Sequence, residues 1–492
     1  MSNVRRIARN TTVLLLSNIA SFVIGFFFTM YVARYLGAEG FGILSFALAF
    51  TAMFGVFTDI GVQGLMIREI ARDKSLAPKF MGNIAVLKIF LTIITFGLIA
   101  LIINLLNYPW QTIQVVYLMA LSLVLNAFST MFYSVFRANE RMEFEAIGQV
   151  LGSAITLGGA FWAISHDYSV VGFAFIYFIV GVIILVYSLA VSGWKFTMPA
   201  FEVDLGFWKE TIKQAWPFAI SAIFVSLYYS VDSVMLSLMK GDAAVGWYSA
   251  AYRLVFLFAY LFGVYSITIF PIMSRFYTDS KYWLRFTYER TFKYMLVLAI
   301  PVGAGMTLLA NKIIMLIFGF WYVNSVAPLQ ILVWSIVLLC VSSPFFLLLN
   351  ALNKQILASK AIVIGGVLNV ILNLLLIPRY SYIGASIATI VTQFLSFGLS
   401  YFWCSKAGYE MPKNYIAGLL IKVCVSCAIM CAFVVILKNF YIFALIPMSA
   451  LLYFAVLYVI GVIDKEDTGL FRSLFGQNPP KAIESDDSIK PS

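Results

Sequence analysis

An aspartate and an arginine sit where hydrocarbon is expected. Asp232 interrupts an apolar run over 214–238 and Arg253 interrupts a second over 245–271, the two joined by a short turn at 239–244. An ionisable group at the centre of a membrane helix costs roughly 2.5–3.5 kcal/mol on the lenient insertion scales, so each needs a partner or a water-filled cavity. By the helical rise, Asp232 lies about 9 Å from the end of its run and Arg253 about 12 Å into the next, which puts them at similar depth. Two roles fit. One is a structural ion pair; the other is a cavity site in which Arg253 grips a phosphate oxygen with bidentate hydrogen bonds while Asp232 orients it or exchanges a proton.

Other residues invite the same question. Lys88 and Lys293 stand near corresponding ends of two spans, where a pair of cations would attract a diphosphate or snorkel to lipid headgroups. Lys360 is placed like them, and Lys422 is expected to snorkel or pack. Arg34 either meets a departing phosphate or marks the membrane interface. Tyr228 and Tyr252, with Tyr229, Trp247 and Tyr248, crowd the Asp232 hairpin; their rings suit sugar stacking as well as an interfacial aromatic belt. Cys424, Cys427 and Cys431 share one helical stripe without a histidine or carboxylate and read as small apolar residues, so no metal site is expected. No catalytic residue is expected either. The segments assigned to the outer side hold only Glu39, Asp167, Asp242 and His166, too scattered for the acid–base or metal chemistry of a glycan polymerase or glycosyltransferase.

The elements that position these residues are membrane spans. Of 492 residues 62% are hydrophobic and 11% charged, against about 25% charged in soluble proteins. Fourteen runs near the ~20 residues of a helical crossing begin near Thr11, Phe41, Phe80, Thr112, Phe144, Ser169, Gln214, Val245, Arg290, Val326, Gln355, Tyr382, Asn414 and Tyr441. They are continuous rather than alternating, which excludes a barrel. The first run, 11–35, is too long for a signal-peptide core and is expected to stay as a span. With the amino terminus inside, 24 of the 33 Lys and Arg fall on the inner side, five outside and four within spans. That asymmetry accounts for the net charge of +11 without nucleic acid and predicts cytoplasmic termini in the plasma membrane. The charged loop 63–79 is expected to form a short surface helix.

The chain repeats. Gly37, Gly42 and Ser45 recur as Gly241, Gly246 and Ser249, shifted by 204, and Lys88 recurs as Lys293, shifted by 205. Asn139 and Gly152 match Asn353 and Gly366, shifted by 214, and Tyr168 with Gly172 matches Tyr380 with Gly384, shifted by 212. Six spans per copy is an even number, so both copies start from the same side. The expected fold is an all-α membrane protein with two parallel six-helix lobes around a central cleft: 1–192, a linker at 193–213, and 214–405. Two added helices follow over 414–463, then a polar tail, 464–492, whose composition predicts disorder. By the shift of 204, Asp232 and Arg253 correspond to Phe28 and Ala49, so the charge belongs to one lobe and an asymmetric cavity is expected, with both on one wall.

The turn Leu36-Gly37-Ala38-Glu39-Gly40-Phe41-Gly42, then Asp59-Ile60-Gly61, Val231-Asp232-Ser233, Val245-Gly246-Trp247-Tyr248, and the run from Asn369 through Asn373 to Pro378 followed by Gly384-Ala385-Ser386, resemble the polysaccharide transporter family of the superfamily that also holds the MATE exporters. The resemblance implies a flippase without chemistry of its own. It would carry a polyprenyl-linked oligosaccharide, anionic at its phosphate or pyrophosphate, to the outer leaflet by alternating access. It implies no cofactor, and coupling to protons or sodium is left open. The partners implied are the lipid-linked oligosaccharide and membrane lipids, with contact to glycan-assembly enzymes admitted, for a protein expected to act as a monomer. A MATE-type drug exporter would need an acidic cavity, whereas the charge inside these spans is mostly basic.

Overall fold

The computed structural model describes residues 3–200 and 203–462; the expected tail at 464–492 lies outside them. Every described regular element is helical: α1 (Asn3–Gly55), α2 (Val62–Arg72), α3 (Ala77–Leu105), α4 (Trp110–Ala138), α5 (Glu143–Ser165), α6 (Val170–Lys195), α7 (Leu205–Lys240), α8 (Asp242–Asp279), α9 (Lys281–Ile317), α10 (Val326–Ala351), α11 (Gln355–Lys406), α12 (Lys413–Ile436) and α13 (Ile442–Val459). Closing backbone hydrogen bonds within each segment is what a bilayer demands. Among the described residues eleven stretches are long and apolar enough to cross a membrane, and in two of these, Thr12–Thr58 and Gln355–Lys406, an α-helix carries a non-helical residue inside it. With those two helices each divided at the break, and α2 set aside as a short amphipathic helix, the long helices supply the expected fourteen segments.

The break in α1 is Gly37, at φ 68° and ψ −176°, a backbone that a side chain disfavours. Before it, α1 runs beside α5 and the turn leading into it: Asn10 Nδ2 donates to the carbonyl of Glu140 in that turn at 2.6 Å, and Tyr31 meets Phe161 of α5 at 4.9 Å between rings. After it the chain turns back, with Phe46 stacked on Tyr108 at 4.8 Å and Gly55 against Leu123 of α4. The end of the bundle holding Asn10 is called the near end here, and the end holding Gly37 the far end. At Gly241 the geometry repeats, φ 82° and ψ 178°, and there α7 passes into α8. The turn between the two apolar runs is therefore this glycine rather than 239–244. Helix α7 begins nine residues before the expected start, on an Asp204 cap whose side chain accepts the Phe207 N–H at 3.1 Å.

The repeat is visible in the backbone, with a corrected register. Glu140 and Asn353 both adopt φ 57°. Their turns close alike, Arg141 N–H to Phe136 O at 2.9 Å and Lys354 N–H to Leu349 O at 2.8 Å, a shift of 213. Asn139 thus corresponds to Leu352, not Asn353, and the partner of Gly152 is Gly365, which presses on Ser396 as Gly152 presses on Ile184. Matching asparagine to asparagine slipped the register by one, because the left-handed position tolerates Glu in one copy and Asn in the other.

Within the first half α1 packs on α5 and α4 on α6; within the second, α10 packs on α9 and α11, and α7 on α11. The last pair, α12 and α13, joins through α9. The amphipathic α2 buries Val62, Met66 and Ile70 against α4 and leaves Arg68 and Arg72 exposed, as the charged loop predicted.

The halves meet closely at the far end. A Cβ on Gly42 would fall well inside 3.0 Å of the Asp242 carbonyl oxygen, and one on Gly246 would do the same at the Ala38 carbonyl. Since 38 and 42 map onto 242 and 246 by the same shift of 204, this is one contact made twice about a local two-fold axis. Tyr108 donates to Ser237 Oγ at 2.9 Å, and Tyr322 donates to the carbonyls of Ala33 and Gly37, each at 2.9 Å.

Candidate functional site

Asp232 and Arg253 are not paired. Asp232, 4% exposed, is held in a polar knot between α7, α8 and the two segments of α11. Its Oδ2 accepts from Tyr248 Oη at 2.6 Å and Thr389 Oγ1 at 2.8 Å, and its Oδ1 from Asn373 Nδ2 at 2.6 Å. Asn373 Nδ2 also reaches Asn369 Oδ1 at 3.0 Å, whereas Asn373 Oδ1 is buried without a partner. Asp232 is the buried carboxylate that no cation neutralises among the described residues; the other buried acid, Glu145, is gripped by Arg137 at 2.5 Å.

Arg253 is exposed although it lies eleven residues inside α8, about 16 Å from its start. It follows Tyr248 by five residues, about 140° around the helix, and so leaves the Asp232 knot behind. Among the described residues no hydrogen bond or ion pair engages it. The expectation of Asp232 and Arg253 on one wall is thus corrected: the carboxylate turns into the second half and the guanidinium out of it.

Beside Arg253 stands an aromatic ladder. Tyr248, Tyr252 and Phe256 stack along α8 at 5.8 and 6.3 Å between rings, and Tyr229 of α7 meets Phe256 edge-on at 6.4 Å. Tyr229 and Phe256 are 46% and 40% exposed, while Tyr228 turns inward and donates to Gln393 at 2.9 Å. The exposed rings are therefore Tyr229 and Phe256 more than the Tyr228 and Tyr252 singled out from sequence. Leu254, next to Arg253, lines a groove of about 760 Å³ with Phe26, Met30, Leu257, Leu309 and Phe443. That groove is apolar apart from Arg34, Ser449 and Tyr453, whose hydroxyl donates to the Val297 carbonyl at 2.8 Å.

The remaining cations scatter. Arg34 donates Nε–H to the Ile317 carbonyl at 2.8 Å and Nη2 to Leu316, closing the C-terminus of α9 at the groove's far edge. Lys88, 2% exposed, pairs with Asp59 at 2.7 Å instead of snorkelling. Lys293, its counterpart, has glycine rather than an acid at the position matching Asp59 and lines a cavity against α12. The two lysines do not form one vestibule. Lys360 and Lys422 are exposed. The five cysteines are free, and no group of three potential metal ligands occurs among the described residues.

Two similar halves of membrane-length helices, joined at one end and carrying a cation inside one of those helices, define a multi-pass membrane protein of the MATE-like all-α fold. A lipid II flippase, MurJ, in an inward closed conformation, superposes with TM-score 0.73 at 16% identity, covering 94% of this chain and all of that one. An inward-facing multidrug resistance MATE family transporter superposes with TM-score 0.61 at 16% identity over 78% of this chain and 95% of its own. The chain belongs to the polysaccharide biosynthesis protein family, whose model matches residues 7–277. Two relatives come from Haloferax volcanii. The probable low-salt glycan biosynthesis flippase Agl15 is 23% identical over 78% of this chain and 80% of its own. The probable flippase AglR is 27% identical over 83% and 85%. The lipopolysaccharide biosynthesis protein WzxC of Escherichia coli is 22% identical over 75% of each.

Proposed function

We propose that this protein is a flippase for a lipid-linked oligosaccharide, not an enzyme. The observation that carries the reading is Arg253: a permanently charged guanidinium inside a membrane-length helix, exposed and without a hydrogen-bond or ion-pair partner among the described residues, on the same helix as the Tyr248, Tyr252 and Phe256 rings and next in sequence to a wall residue of the apolar groove. An anion with a sugar on one side and a lipid chain on the other matches those three surfaces. Arg253 binds the phosphate or pyrophosphate, Tyr229, Phe256 and Tyr252 meet the glycan, and the groove takes part of the lipid chain. Flippases named among the relatives support the same class.

The near end is cytoplasmic in this reading, as the basic loops predict, and the protein acts as a monomer in the plasma membrane with both termini inside. With the far end closed by the Gly42–Gly246 contact, the cleft faces the cytoplasm and loads there. Two lobes rocking about their shared axis then deliver the headgroup outward. Asp232, with Asn369, Asn373 and Thr389, takes the coupling cation, a proton or sodium, since a buried carboxylate beside an unpaired amide oxygen gains most from one. The test is reconstitution into vesicles with a fluorescent polyprenyl-pyrophosphate oligosaccharide, scoring its exposure to a membrane-impermeant quencher. Movement well above protein-free vesicles is expected; none for any such lipid would sink the reading.

A further inference from the structure

One side chain connects the buried carboxylate of Asp232 to the rings on the Arg253 helix. Tyr248 is 2% exposed, and its hydroxyl donates to Asp232 Oδ2 at 2.6 Å. Its ring stacks on Tyr252 at 5.8 Å with 23° between planes, and Tyr252 stacks on Phe256 at 6.3 Å and 22°. Spaced by four, the three rings share a face of α8 and run from the polar knot to the exposed Phe256. The shift of 204 puts Leu44, Leu48 and Ala52 at the matching places of the first half, as it puts Phe28 opposite Asp232. Carboxylate and ladder therefore occur together, in the second half.

The three donors on Asp232 are not equally free to leave it. Thr389 Oγ1 has a second acceptor in the Ala385 carbonyl at 3.0 Å, and Asn373 Nδ2 has one in Asn369 Oδ1 at 3.0 Å. Among the described residues Tyr248 has the Thr389 hydroxyl alone as an alternative, at 3.4 Å. Parting from the carboxylate would strand a buried O–H, and a buried donor without an acceptor is costly. The phenol therefore follows the carboxylate when the carboxylate moves. A cation would move it, because the Asn373 Oδ1 beside it is buried without a partner, and the oxygens of Asp232, Asn373 and Thr389 are hard donors that suit sodium. In a close-packed interior a ring drawn at the Tyr248 end carries its stacked neighbours with it.

We propose that Tyr248 is a positioning residue that ties sodium occupancy at Asp232 to the setting of the Tyr252 and Phe256 rings, and so to affinity for the glycan. The proposal rests on the flippase reading, in which those two rings meet the glycan. Such linkage is reciprocal and typically amounts to about 5- to 150-fold.

The test titrates the full chain in detergent, with choline replacing sodium at constant ionic strength, against two fluorescent lipids: a polyprenyl-pyrophosphate oligosaccharide and the same polyprenyl pyrophosphate without glycan. Sodium should change wild-type affinity for the glycan-bearing lipid by at least about fivefold, and for the bare pyrophosphate by less than about twofold. Tyr248→Phe keeps the ring and removes the hydroxyl. Its shift should fall below about twofold while sodium still raises its melting temperature. Tyr252→Leu breaks the ladder at its middle, leaves the Asp232 bonds whole and should lose the shift as well; it decides the matter if Tyr248→Phe fails to fold or to bind sodium. A shift that survives in either folded variant, a wild type without one, or an equal shift for the bare pyrophosphate would each overturn the role of Tyr248 while leaving the flippase reading standing. Folded wild type that binds neither lipid would overturn that reading, and the role of Tyr248 with it.

Discussion

Replacing Gly42 with alanine puts a methyl group into the backbone of another helix. The new Cβ falls inside 3.0 Å of the Asp242 carbonyl oxygen, and the neighbouring Gly246 nitrogen is at 3.1 Å, so no flexible side chain can give way. Overpacking of this kind costs about 1–3 kcal/mol when the surroundings must shift. If the far end opens during transport, opening relieves the clash, and the closed state loses about 5- to 150-fold in population. Gly246→Ala, facing the Ala38 carbonyl, should act with similar strength because the contact is the same one across the local axis. The double variant should fall short of the sum, since one separation of the helices relieves both clashes. Spin labels at Trp110 and Phe320, which are 65% and 75% exposed in different halves, report the far-end distance in a background cleared of the five cysteines. A longer-distance population should grow in either variant and stay unchanged in Gly97→Ala, where a Cβ meets nothing within 4 Å. A distance distribution identical to wild type in both glycine variants would refute the gate.

Three further outcomes follow from the buried charges. Arg137→Ala strands Glu145, 1% exposed, and should cost about 3–5 kcal/mol in thermal unfolding, whereas an apolar replacement of both partners should be close to neutral; a single variant melting with wild type contradicts this. Asp232→Asn should make transport insensitive to collapse of the sodium or proton gradient, and a variant that responds as wild type does would remove Asp232 from coupling. Lys88→Met should lower stability while leaving substrate affinity unchanged, because its charge is spent on Asp59; a loss of affinity at equal stability would return Lys88 to the cavity.

The fold was legible where sequence and backbone share a local cause. Gly37 and Gly241 mark reversals because a positive φ favours glycine, and the hydrophobic runs mark spans because a bilayer has a fixed thickness. Asp232 and Arg253 stood out because charge inside hydrocarbon is costly. Their separation did not, since which way each points depends on five residues of helical rotation and on α11, more than a hundred residues downstream. One signal was readable and passed over: Asn369 and Asn373, i and i+4 in an apolar run, present two amides on one face and invite a carboxylate. The Lys88–Asp59 pair and the cavity around Lys293 could not be read, because the repeat made the two lysines look equivalent while their partners differ.

Arg253 offers the most direct test. In the vesicle assay with a polyprenyl-pyrophosphate oligosaccharide, Arg253→Ala removes charge-assisted hydrogen bonds of about 1.5–3 kcal/mol, a loss of about 10- to 150-fold in transport efficiency. Arg253→Lys keeps the charge but not the bidentate fork and should fall between the two. Wild-type transport in Arg253→Ala, with the protein folded and inserted, would contradict the account.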